Sequence, residues 1–256
     1  MIVTLIVQKR HTLILDHLGR EQAISIKELS DLLNASRETI RKDIALLSKE
    51  GLLRQVRGGA VRSQSAEATL AERSIVNPSG KQAMARLLAR LIPDGACLII
   101  DSGTTTQAAA REIAQHRRDL SIRTNDLTVA SILAPVAREI LLLGGKLDRN
   151  EHCTSGLDTL EMLGRHRADY ALIGVGGLSE QDLFTDFSSE NAAMRDRMIQ
   201  VSDHPILLAD QSKIGVVAPV HLTRVDGRAM AITDAPLPAG LSSLLMAIGM
   251  TVRIAA

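Results

Sequence analysis

Six polar strings in this chain each follow a short apolar run: Asp101-Ser102-Gly103-Thr104-Thr105-Thr106, Thr124-Asn125-Asp126, Gly144-Gly145-Lys146, Gly174-Val175-Gly176-Gly177, Asp210-Gln211-Ser212-Lys213 and Thr233-Asp234. Hydroxyls, glycine amides and a lysine suit a phosphate, and carboxylates or carboxamides suit the hydroxyls of a small polyol. Ser102 to Thr106 precedes a helical pattern from Gln107 to Ala114, so its amides open a helix and can cradle an anion. Gly103 lets the backbone approach closely. The string lacks both Gly-x-x-x-x-Gly-Lys-Thr and Gly-x-Gly-x-x-Gly, which disfavours ATP and NAD. Each string alone also reads as an ordinary helix cap, and only their joint occurrence points to a ligand.

The elements that must position these strings are strands. Ala96-Cys97-Leu98-Ile99-Ile100 is a continuous apolar run of strand length, and similar runs recur at Leu120 to Arg123, Glu139 to Leu143, Tyr170 to Ile173, Ile206 to Ala209 and Met230 to Ile232. They alternate with helical patterns, which predicts a mostly parallel α/β sheet with the polar strings at its carboxyl ends. Ligands of open α/β sheets bind outside those ends. The expected body spans residues 79–256, after a polar linker over 63–78 that is helical in part around Glu67 to Arg73.

The first 62 residues differ in kind. They carry 11 Lys and Arg against 7 Asp and Glu, a balance of +4, whereas the remainder carries 19 against 22, a balance of −3. A basic head on a slightly acidic body suits contact with a phosphate backbone through the head alone. Leu13, Ile14 and Leu18 predict a helix over His11 to Leu18, ending before Gly19. Ser25-Ile26-Lys27-Glu28 has the form of a capping box, and Ser36 is a second N-cap oxygen. In the helix that follows, Ile40, Ile44 and Leu47 recur at i, i+4 and i+7 and face the core. Arg37, Glu38, Arg41 and Lys42 therefore face outward. Gly51 ends this helix, and Leu53 to Val61 predicts two short strands about a Gly58-Gly59 turn, a wing that carries Arg54 and Arg57 beside Arg62. A winged helix-turn-helix lays its second helix in the major groove of double-stranded DNA.

Ser36-x-x-Thr39-Ile40-Arg41-Lys42-Asp43-Ile44, followed by Gly51-x-Leu53 and Gly58-Gly59-Ala60, resembles the DNA-binding signature of the DeoR family of bacterial transcription regulators. The strings Asp101-x-Gly103-Thr104-Thr105, Thr124-Asn125, Gly144-Gly145, Asp169 with Gly174 and Gly177, Asp210-x-Ser212-Lys213-x-Gly215 and Thr233-Asp234 resemble that family's C-terminal sensor, whose fold is similar to ribose-5-phosphate isomerase. The resemblance implies an operator-binding regulator, a repressor of a carbohydrate operon, controlled by a phosphorylated sugar. It implies DNA contacts from Ser36, Arg37, Thr39, Arg41, Lys42, Arg54 and Arg57. It implies effector contacts from Asp101 to Thr106, Thr124, Asn125, Gly144, Gly145, Asp210 and Lys213, together with Glu190, Arg195 and Asp186, the last as a hydroxyl acceptor. The family places a lysine four residues after this glutamate, whereas here Glu190 is followed by Met194 and then Arg195.

Composition narrows the remaining possibilities. One Tyr, two Phe and no Trp make the core aliphatic and leave few platforms for stacked single-stranded bases. Cys97 and Cys153 are far apart, with no Cys-x-x-Cys, so no zinc site and no disulfide framework are expected; no cofactor is expected either. Reduced thiols suit the cytoplasm. Met1 to Val7 is too short for a signal sequence, has no basic stretch before it and reads as a dangling extension or the product of an early start codon. No segment has the length and apolarity of a membrane span. Because one head reads few base pairs, a homo-oligomer is expected, with Leu241 to Ile254 as one candidate contact. The competing readings are an isomerase-like enzyme using Asp210, Glu190 or Lys213 as acid and base, and a structural DNA-bridging protein with an empty pocket.

Overall fold

The computed structural model describes residues 2–21, 23–49, 53–62 and 67–255, which fall into two compact units, 1–68 and 69–256. In the first unit α1 (Ile2–Glu21) is followed by β1 (Ala23–Ser25), α2 (Ile26–Leu33), α3 (Arg37–Lys49), β2 (Leu53–Val56) and β3 (Gly59–Arg62). The first helix is longer than the apolar stripe of His11 to Leu18 suggested. Ile2 to Val7 is helical, and Gly19 does not stop the helix, because one glycine inside a helix costs only about 1 kcal/mol.

The capping box forms as expected: Glu28 N donates to Ser25 Oγ at 3.1 Å and Ser25 N to Glu28 Oε2 at 2.9 Å. Asn34, in the left-handed region at φ 46°, closes α2. Ile14, Leu18, Leu29, Ile40, Ile44 and Leu47 meet Leu53 and Ala60 in one core. The sheet order is β1-β3-β2, and the turn of the wing is Arg57-Gly58, with Gly59 already in β3. A Cβ on Gly59 would lie 2.2 Å from the Ile24 carbonyl oxygen, so glycine is what lets β3 approach β1. The Gly51 helix stop and residues 63–66 of the expected linker lie outside the described residues.

The second unit opens with α4 (Leu70–Ile75) and α5 (Pro78–Leu91), then alternates β4 (Cys97–Ile100), α6 (Thr104–His116), β5 (Leu120–Thr124), α7 (Leu127–Leu133) and β6 (Ala137–Leu142). A hairpin of β7 (Lys146–Asp148) and β8 (Cys153–Ser155) leads to α8 (Leu157–Gly164) and β9 (Ala168–Gly174). Then come β10 (Gly177–Ser179), β11 (Leu183–Asp186), α9 (Ser189–Gln200), β12 (Ser202–Leu208), a 3-10 turn at Gln211–Lys213, β13 (Val220–His221), β14 (Met230–Thr233), α10 (Ala239–Ala247) and β15 (Thr251–Ile254).

Seven strands form one parallel sheet in the order β15-β14-β12-β9-β4-β5-β6. Successive side chains alternate between two cores: Leu98, Ile100, Leu172 and Leu208 pack beneath α5 and α6, and Ile99, Ala171, Ile173 and Leu207 pack beneath α9. Both faces are covered, which is why these runs are apolar throughout. Beginning at β4 the chain winds through β5 to β6, and from β9 it winds the other way, so the strand order reverses between β4 and β9.

Residues 69–78, expected as linker, fold onto the body. Thr69 caps α4 through a box with Glu72, Asn77 caps α5, and Lys81 Nζ donates to the Arg73 and Val76 carbonyls at 2.5 and 2.9 Å. No helix among the described residues is long and apolar enough to cross a membrane.

Candidate functional site: a cleft at the sheet switch point and an exposed helix

In open α/β sheets ligands bind outside the carboxyl ends of the strands where their order reverses, which here is at the ends of β4 and β9. Asp101 stands there. Its carboxylate accepts from Ser102 N at 2.8 Å, Gly174 N at 3.2 Å and Arg195 Nε at 2.8 Å, joining both strand ends to α9. Arg195 also pairs with Asp186, and all three side chains are buried. Positions five apart on a helix differ by about 140°. Arg195 thus faces the sheet while Glu190 stays exposed near Gly156. Asp186 and Arg195, expected to face a ligand, are paired with each other: one guanidinium compensates two buried acids and fastens three elements.

Ser102 to Thr106 turns into α6 as its sequence suggests. Gly103 is the N-cap at φ 120° and ψ 169°, a conformation open essentially to glycine alone. Asp126, buried at the end of β5, holds this loop from outside: its Oδ2 accepts from Gly103 N at 3.3 Å and Gln107 Nε2 at 3.0 Å, and its Oδ1 caps α7 through Thr128 N and Val129 N. The first-turn amides of α6 have no carbonyl four residues back within the helix. Ser102, Thr104 and Thr105 are half-buried at this opening. Thr106 and Thr124 are fully buried, and their hydroxyls donate to the Gly103 and Ile100 carbonyls at 2.9 and 2.7 Å, which commits them to the backbone.

Asn125 Nδ2 donates to the Thr154 carbonyl, and its buried Oδ1 makes no hydrogen bond. Gly144 and Gly145 are exposed at the start of the hairpin, where Thr159 Oγ1 donates to the Gly144 carbonyl at 2.6 Å. A polar cavity of about 380 Å³ lies against that hairpin, lined by Lys146, Leu147, Asp148, Arg149, Asn150, Ser155 and Glu190. It brings Glu190 to the hairpin, and Ser102 to Thr106 are not part of its wall. Cys153 on β8 is hydrogen-bonded to Ser102, and burial pushes its thiol up to about 11, so it stays protonated and inert.

Across the sheet Asp210, fully buried, accepts Ser212 N at 2.8 Å and Asn77 Nδ2 at 3.4 Å through Oδ1, while its Oδ2 makes no hydrogen bond. Lys213 is half-buried on the following turn. Burial lowers the pKa of Lys81, the Asp210 charge opposes that, and the charges of Lys213 and Arg73 add to it, so Lys81 feels one acid and two further cations. Sequence reasoning named Lys213, placed Asp126 in a strand-end string without a role of its own, and did not select Asn77, Lys81 or Arg73. Asn77-Pro78 was legible as a helix start, whereas the reach of Lys81 and Arg73 depends on how α4 and α5 pack.

In the first unit Ser36 Oγ accepts from Thr39 N at 3.1 Å and starts α3. Ser36, Arg37, Arg41, Lys42 and Arg57 are exposed, Thr39 is half-buried, and Arg41 pairs with Glu38 at 3.3 Å. Arg54 lies in β2, with its side chain outside the described residues. Asp43, on the opposite face of α3, accepts from Arg10 Nη2 and His11 Nε2 at 2.9 Å each, tying α3 to α1.

Two family models match the chain: a DeoR-like helix-turn-helix domain over residues 10–66 and a DeoR C terminal sensor domain over residues 76–235. The glycerol-3-phosphate regulon repressor of Escherichia coli is 30% identical, over 93% of this chain and 94% of that protein. The HTH-type transcriptional repressor GlcR of Bacillus subtilis is 32% identical over 89% and 88%, and CsqR of Escherichia coli is 33% identical over 92% and 91%. Among solved structures, ribose 5-phosphate isomerase A of Methanocaldococcus jannaschii aligns at a TM-score of 0.39 and 14% identity over 54% of this chain and 55% of that one. The chain belongs to the DeoR family of transcriptional regulators.

Proposed function

We propose that this regulator is a repressor of a carbohydrate-metabolism operon whose operator affinity falls when a phosphorylated sugar occupies the cleft at the sheet switch point. The observation that carries this reading is the Ser102 to Thr105 loop opening α6 at the reversal of strand order, in the same unit as Asp210, whose buried Oδ2 makes no hydrogen bond and whose charge acts on Lys81. The helix amides and Lys213 bind the phosphate, and Asp210 and Asn125 take sugar hydroxyls. The glycerol-3-phosphate repressor among the relatives carries a phosphorylated polyol in its name, which fits this chemistry. The isomerase alternative is set aside because the relatives above are named as repressors.

The test is operator release against phosphosugar concentration for wild type and Lys213→Ala. Losing a charge-assisted hydrogen bond to the phosphate should weaken the response by about 1.5–3 kcal/mol, roughly 10- to 100-fold in concentration. Superimposable curves would remove Lys213 from the site.

The DNA-reading surface is α3 with the wing: Ser36, Arg37, Thr39, Arg41 and Lys42, joined by Arg54 and Arg57. Arg37→Ala or Arg41→Ala is expected to cost about 1–3 kcal/mol of operator affinity, relaxing specificity at one base pair if the arginine reads a base and weakening every sequence alike if it holds phosphate. Gel shifts with unchanged affinity in both variants would take α3 off the DNA. We further propose a homo-oligomer on repeated half-sites, one helical turn or a multiple apart. The exposed Leu244, Met246, Ile248 and Ile254 of α10 and β15 offer one contact.

A further inference from the structure

The element that follows the DNA-binding unit directly is α4, and its Arg73 reaches the phosphate loop. A Cβ built on Gly103 would stand 3.7 Å from Arg73 Nη1. The same guanidinium is ion-paired with Glu151, which sits in the loop of the β7–β8 hairpin, and its side chain is only 12% exposed. Two further ties seat the segment. Buried Lys81 donates to the Arg73 and Val76 carbonyls at the carboxyl end of α4, and Asn77 Nδ2 donates to Asp234 Oδ2 at 2.7 Å. One short stretch, residues 73–81, therefore touches the loop at β4, the hairpin, and the carboxyl ends of β12 and β14.

We propose that Arg73 is an effector-binding residue and the residue through which occupancy of the cleft reaches the DNA-binding unit. This rests on the phosphate-site reading above and extends it. A phosphate on the first-turn amides of α6 lies within the field of Arg73, and a dianion with three acceptor oxygens competes with a single carboxylate for a five-donor fork. Glu151 is the partner displaced, because it and the phosphate bear the same sign. Arg73 exchanges Glu151 for the ligand, and α4 shifts with it. A ligand changes a distant equilibrium only through contacts that differ between the two states, and Arg73 makes one of its contacts in each. Binding of DNA and of ligand are then coupled reciprocally.

Two substitutions separate this role from a structural one, because they move ligand affinity in opposite directions. The full-length protein is titrated with inorganic phosphate, glycerol 3-phosphate and ribose 5-phosphate, read by thermal shift and by release of operator DNA. Arg73→Gln should weaken binding of the responding probe at least about tenfold, with Arg73→Lys falling in between because it keeps the charge and loses the fork. Glu151→Gln should tighten the same binding several-fold and lower the concentration that releases operator. In Arg73→Gln the ratio of operator affinities with and without saturating probe should fall toward one. A response to inorganic phosphate equal to that of the sugar esters would identify the anion alone as the ligand and leaves the assignment of Arg73 supported. Equal affinity in wild type and Arg73→Gln, or shifts of the same sign in Arg73→Gln and Glu151→Gln, would overturn the role of Arg73 even where Lys213→Ala is impaired. A wild type unresponsive to all three probes would instead overturn the phosphate site and this role with it.

Discussion

Arg195→Leu should destabilise the second unit by about 3–5 kcal/mol, the cost of removing one partner from a buried charge pair. The guanidinium is the shared partner of Asp101 and Asp186, each under 5% exposed, so its loss leaves two carboxylates in the interior with their compensating charge gone. The damage extends beyond stability, since the same side chain joins the end of β4, the end of β11 and α9 around the cleft. Urea unfolding followed by tyrosine emission measures it directly: Tyr170 on β9 is the only tyrosine and the chain has no tryptophan. The double replacement Asp186→Leu with Arg195→Leu should recover part of the loss, because an apolar pair replaces a broken ionic one. A single variant within 1 kcal/mol of wild type would show that the network is solvated and not structural.

Asp43→Ala is the second large effect, on the order of 3 kcal/mol and confined to the first unit. Burial opposes ionisation of Asp43, and the hydrogen bonds from Arg10 and His11 outweigh it, holding the carboxyl below its ordinary value. Stability from this group is present above the unfolded carboxylate value of about 4 and is lost as pH falls through the lower folded value. Wild type should therefore lose helical signal from the first unit in that acid range, and Asp43→Asn should lose the corresponding slope. Far-UV circular dichroism reports this transition, whereas Tyr170 emission follows the other unit. An unchanged slope in Asp43→Asn would assign the acid sensitivity elsewhere. The clamp also fixes α3 relative to α1, so operator affinity should fall together with stability.

Local signals in the sequence were strong enough to place most of the architecture. The Ser25 to Glu28 box, the i, i+4, i+7 stripe of α3 and the six apolar runs each state their own geometry, because capping and periodicity depend on neighbours in the chain. The hairpin β7–β8 and strands β10, β11 and β13 went unseen: each has two to four residues and lacks a continuous apolar run, and their pairing depends on partners brought by the larger sheet. The candidate site was legible as strand-end loops and illegible in the direction of each side chain. Asp101, Asp186, Thr106 and Thr124 have the chemistry of ligand contacts and spend it on the protein. Arg195 shows why spacing matters: at this position the cation meets Asp101 and Asp186, whereas the residue before it, Met194, joins the apolar core.

Strand order also dictates an order of events during synthesis. The widest strand pairing of the first unit joins Ala23 to Val61, so its contacts can all form early. In the second unit Leu98 of β4 pairs with Tyr170 of β9, a partner 72 residues downstream. At 5–20 residues per second that interval lasts roughly 4–14 s, during which β4 has β5 beside it on one edge and nothing on the other. Non-local parallel pairing is slow to form even once the chain is complete. A nascent chain thus acquires its helix-turn-helix before its main sheet is complete, and the apolar edge of β4 is open to strand addition for as long as β9 is still being made.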